Sequence, residues 1–303
     1  MAGAMGTTFG YVANRPPPPV GDAKLLERVI EDVQLLLGPT FDALERVDRR
    51  GRESHTPASR RHPIMIMVAA LRADIASFGT ATPIVHVDYL VELRALLQTL
   101  ERWQRHPFWP EMVRGLAGED EYPHTAILLA AATYFEDAGN SVEFKETGRD
   151  RSPDLFLVPT VSERIAVEVK VPEVLRAPPV ALGRDKLMDV VKKAMKKART
   201  GRSGQLSREH PAMLVIGGFR TWASDLPDFE GAAAAYLQEA AKKGKHKHVL
   251  GIGLLSFLTL VKRDPTQQSA QAALKMAFVP NPGYEGAIKL ITETPPHLQR
   301  PAR

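Results

Sequence analysis

Apolar residues along this chain follow two different periods, and the change between them divides it. From Asp22 to about Arg50, Leu25, Leu26, Val29, Ile30, Val33, Leu36 and Leu37 recur at helical spacing. Gly38-Pro39 interrupts the pattern, and a second helix continues through Leu44 and Val47. Helical spacing returns over 63–78 and over 86–105, where Tyr89, Leu90, Leu93, Leu96, Leu97 and Leu100 form the stripe. No stretch here alternates convincingly, so residues 21–118 are predicted to form an α-helical domain.

Past Gly118, helices and strands alternate. Residues 122–138 read as a helix stopped by Gly139-Asn140, followed by a short strand, SVEFKE. Two apolar runs, DLFLVP and RIAVEVK, come next, then a helix over 185–200 and a strand over 211–219. A helix over 229–243 and one or two strands within 248–260 follow, with a last strand at 274–279 or 286–292. This order predicts an α/β domain with a mixed sheet over 119–295. Residues 1–20, ending in RPPPPV, read as a disordered Pro-rich segment, and 296–303 as a disordered tail.

Composition narrows the class without naming it. The 303 residues include no cysteine, which excludes disulfides and thiolate metal sites and fits a reducing cytoplasm. MAGAMGTTFG lacks the basic start and apolar core of a signal peptide, and the longest apolar run, VLGIGLLSFLTLV, is too short to span a bilayer. A cytoplasmic protein with no membrane partner is expected. The net charge of +5 and pI near 9.4 are compatible with a polyanionic partner.

The chemistry concentrates between Pro153 and Lys170. A hairpin centred on Val161 would oppose Leu155 to Val167, Leu157 to Ile165 and Asp154 to Glu168. Strand alternation places Glu168 and Lys170 on one face, with Val167, Val169 and Val171 on the other. Two carboxylates roughly 5 Å apart at Cβ share a proton or bind a hard divalent cation. A neighbouring lysine would favour hydroxide and the charge developing on a phosphate under attack. The pattern equally allows a shifted register, with the acids lining a solvated sheet edge.

Pro153-Asp154 followed by Glu168-Val169-Lys170 resembles the signature of the PD-(D/E)xK nuclease superfamily, which includes restriction endonucleases and Holliday-junction resolvases. The resemblance covers roughly residues 120–220, where helix, strand, PD strand, ExK strand, helix and strand follow in the family's order. It implies a restriction-endonuclease-like mixed β-sheet flanked by helices, preceded here by the α-helical N-terminal domain. It also implies a Mg²⁺-dependent endodeoxyribonuclease, with Mn²⁺ able to substitute. By this analogy Asp154, Glu168 and the Val169 carbonyl hold the metal, Lys170 orients the attacking water, and an acid on the preceding helix, Glu136 ahead of Asp137, completes the catalytic set. No QxxxY follows the lysine, unlike one branch of the family. A catalytically inactive nuclease fold, acting as a nucleic-acid-binding or protein-interaction module, is the alternative.

Basic tracts bear on the partner. Between Arg184 and Arg202 eight basic residues face two acids, with Lys192, Lys193, Lys196, Lys197 and Arg199 opposite a stripe of Leu187, Val190, Val191, Ala194 and Ala198. Together with Arg202 they form either an ordinary solvated face or a surface that tracks phosphates. DRRGRESHTPASRRHP is likewise a solvated loop or a phosphate contact. Trp103 and Trp109 suit a core cap or a binding platform, and His246 and His248 a metal pair without nearby acids. The expected partners are nucleic acid, DNA first, a second copy of the chain, and a protein docking on the helical domain.

Overall fold

The computed structural model describes residues 8–12, 23–55, 57, 61–78, 86–144, 153–158, 164–176, 182–199, 206, 209–219, 225–263 and 268–286. These divide into two compact units. One holds Ala130–Leu258 and the chain from Leu274, with the strand residues up to Tyr11; the other holds Val12–Leu129 and Thr259–Ala273. The division falls inside the helix that begins at Tyr122, not at residue 118. No helix among the described residues is long and apolar enough to cross a membrane.

The helical unit follows its apolar stripes. α1 (Ala23–Leu37) buries Leu26, Val29, Ile30, Val33 and Leu37. Gly38 turns the chain with φ +52°, a left-handed conformation that glycine adopts without strain, and Pro39 opens α2 (Pro39–Glu53). α3 (Pro63–Ser77), α4 (Val87–Trp103) and α5 (Trp109–Ala117) complete the unit with the first half of α6 (Tyr122–Asp137). Trp103 is buried and edge-packed on His106, a core role.

The arginine-rich segment is organised by an acid. Buried Asp48 accepts two hydrogen bonds from Arg61, at 2.6 and 3.1 Å, and pairs with Arg52 at 3.1 Å. Those two guanidiniums are held by the fold. Asp74, on the buried stripe of α3, accepts the His86 N–H and faces His86 Nδ1, each at 2.6 Å. That fastens the start of α4.

The other unit is α/β. Its strands are β1 (Thr8–Val12), β2 (Ser141–Phe144), β3 (Leu155–Val158), β4 (Ile165–Lys170), β5 (Ala212–Gly218), β6 (Val249–Arg263, in this unit as far as Leu258) and β7 (Gln268–Pro280, in this unit from Leu274). They form one sheet in the order β1-β7-β6-β5-β4-β3-β2. The β2–β3 and β3–β4 pairs are antiparallel, while β4–β5 and β5–β6 are parallel, so the sheet is mixed. β1 lies within the segment expected to be disordered, and RPPPPV falls outside the described residues, as does the tail from 296. β6 is a single strand, one of the two expected alternatives, and runs on to Arg263, while β7 begins before the predicted 274.

Parallel neighbours need crossovers, supplied by α7 (Arg184–Arg199) and α8 (Asp225–Lys242). Leu187, Val190, Val191, Ala194, Met195 and Ala198 of α7 join Phe229, Ala232, Ala233 and Leu237 of α8 in one apolar layer. Ala166, Ala212, Leu214, Ile216, Ile252 and Leu254 of the sheet belong to the same layer, so both helices cover the same sheet face. Val167, Val169, Met213 and Val215 are buried on the opposite face. The Gly251–Gly253 stretch serves packing: a Cβ on Gly251 would meet the Val279 carbonyl at 2.4 Å.

His62 caps α3, its Nδ1 accepting the Ile64 N–H at 3.3 Å, with Tyr122 edge-on at 5.5 Å. Burial lowers its pKa to about 4, against weaker upward pulls from the Leu116 backbone and Asp48. The unfolded chain therefore binds this proton more tightly than the folded one. The stability contribution is whole above pH ~6.5 and is lost as pH falls toward 4, by about 3 kcal/mol. Chemical denaturation across that window is expected to show the loss, and His62→Asn, which keeps a capping acceptor, is expected to flatten it.

Candidate active site

The site is built by the register of one hairpin. β3 and β4 pair Leu155 with Val167, Phe156 with Ala166 and Leu157 with Ile165, the alignment expected for a hairpin centred on Val161. Extended one residue, it sets Asp154 across from Glu168; extended two, it sets Pro153 across from Val169. Backbone direction alternates along a strand. The Ala166 N–H points toward β5, donating to the Pro211 carbonyl at 2.8 Å, so the Val169 N–H and C=O point toward β3.

Two local facts then shape the end of β3. The Val169 N–H donates to Asp154 Oδ2 at 2.7 Å, so the carboxylate takes a place that a strand carbonyl would fill. Proline has no N–H, so Pro153 cannot donate to the Val169 carbonyl. The motif's proline thus withholds the ladder donor that any other residue would offer there. This role was not seen in the sequence, although Pro153 was in plain view.

Glu168 is fully buried, at 0 % exposure, and Lys170 Nζ pairs with its Oε1. Lys170 keeps 23 % of its side chain exposed. Both lie on the α7–α8 face, Glu168 beside Leu214 and Lys170 beside Ile216 of β5. A carboxylate so deep is tolerated only with a close cation and further hydrogen bonds. Asp154 is half-buried. Asp154 thus sits on the Val169 backbone, and the Glu168–Lys170 pair flanks Val169 along β4.

Oxygen donors are what Mg²⁺ requires, and it keeps several waters when bound by one or two carboxylates. Asp154, Glu168 and the Val169 carbonyl are donors of that kind. Glu136 does not extend the set: it is exposed on the last turn of α6, and among the described residues no group of three or more His, Asp or Glu side chains converges on a metal position.

Lys192, Lys193, Lys196 and Lys197 are exposed on α7, opposite its buried stripe. The side chain of Arg199 and the whole of Arg202 lie outside the described residues. The Lys243 ammonium, with smaller contributions from Lys192 and Lys245, holds the Glu239 carboxyl of α8 below its usual range. The lysine face of α7 thus lies close to the basic end of α8. His246 and His248 part company: His246 Nε2 meets the Tyr236 hydroxyl at 3.0 Å, and His248 Nε2 faces the Leu206 carbonyl at 3.3 Å.

Compared with family models, curated proteins and solved structures, the chain matches none.

Lys170→Met should destabilise the fold by about 3 kcal/mol, because it removes the cation from a buried carboxylate. The double variant Glu168→Gln/Lys170→Met should recover most of that loss. Urea unfolding of the three proteins checks both outcomes.

Proposed function

We propose that this chain is a metal-dependent nuclease with a restriction-endonuclease-like fold, hydrolysing phosphodiester bonds, most readily in DNA. One observation carries the reading: a single hairpin register brings Asp154 beside the backbone of Val169, next to the Glu168–Lys170 pair. The mixed sheet and the helix–strand order around it support the same reading.

When bound by Asp154, Glu168 and the Val169 carbonyl, Mg²⁺ would polarise the scissile phosphate and favour deprotonated water. Lys170 reaches solvent from its pairing with Glu168, so its ammonium can donate to the attacking water and hold it in line. Water oxygen bonds to phosphorus as the bond to the leaving oxygen breaks; the water's proton passes to solvent, and the leaving oxygen takes one from it. The exposed lysines of α7 suit the flanking phosphates. The helical unit would select the substrate or a protein partner, and a second copy would let both strands be cut.

One observation favours a second reading. Glu168 is fully buried against Lys170, and no third acid converges with it among the described residues. A nuclease fold kept as a nucleic-acid-binding or protein-interaction module would look the same.

Supercoiled plasmid incubated with the protein and Mg²⁺ or Mn²⁺ separates the two. Cutting that EDTA stops, and that falls by about a hundredfold or more in Asp154→Ala and Lys170→Ala, supports the nuclease. Undiminished cutting by Asp154→Ala removes the proposed site. Salt-sensitive binding without cleavage of plasmid, single-stranded, branched or RNA substrates leaves the binding module.

A further inference from the structure

The stretch that leaves β4 ends in an arginine that neither the motif nor the packing accounts for. After Lys170, Val171 and Pro172 lead into a 3-10 turn, Glu173–Leu175. The Leu175 N–H donates to the Pro172 carbonyl at 2.9 Å and the Arg176 N–H to the Glu173 carbonyl at 3.0 Å. Leu175 is buried in the layer that α7 shares with Ala166, Leu214 and Ile216. Its carbonyl accepts the N–H of Phe219, the residue just past β5, at 2.8 Å. Arg176 is therefore fixed at the carboxyl ends of two parallel strands, on the route leading away from Lys170.

Arg176 is half-buried, and its Nε is sealed from solvent without a hydrogen-bond partner among the described residues. A guanidinium keeps its charge under all ordinary conditions, so burying an unmatched donor on it opposes folding. Arg61, by contrast, is held in a two-pronged contact by Asp48. Ligands of open α/β sheets bind beyond the carboxyl ends of parallel strands. A guanidinium fork matches two phosphate oxygens.

We infer that Arg176 is a phosphate-binding residue, positioned at the carboxyl ends of β4 and β5 to take an oxyanion of the nucleic acid presented to Asp154, Glu168 and Lys170. The inference rests on the nuclease reading for the location and identity of the ligand, but not on cleavage. An arginine kept for a ligand leaves the free protein less stable than a residue of similar length without the charge. That property separates it from a structural arginine.

The test uses the full chain and a fluorescein-labelled DNA duplex in EDTA, with binding followed by anisotropy over a salt series. Melting in phosphate-free buffer runs alongside. Arg176→Met should melt at or above the wild-type temperature, bind the duplex about tenfold more weakly or worse, and show a salt slope smaller by about one. Arg176→Lys, which keeps the charge but not the fork, should retain the slope and lose part of the affinity. Inorganic phosphate should raise the wild-type melting temperature more than that of Arg176→Met.

Wild-type affinity in Arg176→Met, a lower melting temperature for it, or loss of its folding would overturn the inference, as would a wild-type chain that does not bind the duplex. Arg176-dependent binding with no cleavage of any substrate would retain the phosphate site and discard the nuclease. Metal-dependent cleavage with kcat/KM unchanged in Arg176→Met would do the reverse.

Discussion

Glu168 brings a carboxylate onto a sheet face that two helices cover, and its compensation organises the surrounding structure. The cation comes from two residues further along the same strand, because only that spacing returns a side chain to the same face. Lys170 must then be the last residue of β4, close enough to the strand's end for its stem to be buried while its head stays partly in solvent. α7 and α8 seal the remainder with alanine, valine and leucine, so the pair sits in surroundings of low polarizability, where its mutual attraction is strong. A shift of β4 by one residue would turn Glu168 into the valine-lined opposite face and break this arrangement.

The antiparallel and parallel halves of the sheet meet at β4, and their functions differ. Toward β3 the strand has a hairpin neighbour from nearby in the chain, which is how Asp154 and Pro153 come to face Val169. Toward β5 it has a parallel neighbour reached only through a helix, which leaves the carboxyl ends of both strands together. The hairpin side brings Asp154 to this end of β4. Glu168, the Val169 carbonyl and Lys170 lie on β4 itself, and Arg176 follows beyond the 3-10 turn.

Much of this was legible residue by residue. The stripe of α1, the break at Gly38-Pro39 and the two faces of α7 follow from a period of 3.6, and the structure keeps them. The pairing of Leu155 with Val167 followed from one turn between two alternating runs. Other features were not legible. Asp48 gathers Arg52 and Arg61, turning part of an apparently solvated basic loop into a fixed contact. His246 and His248, near neighbours in the chain, meet Tyr236 and the Leu206 carbonyl. Glu136, expected to complete a catalytic set, lies exposed on α6 outside any three-residue metal cluster among the described residues.

These differences share a cause. The sequence by itself determined which face of each element is apolar and how the local hairpin aligns, because periodicity and a short turn act between neighbours in the chain. Only the tertiary structure decided which charges are compensated, how deeply Glu168 is buried, and that Arg176 has a sealed Nε at the end of two parallel strands. Those outcomes depend on which distant segment packs alongside, and a parallel pair joined through a helix leaves no local pattern from which that can be read.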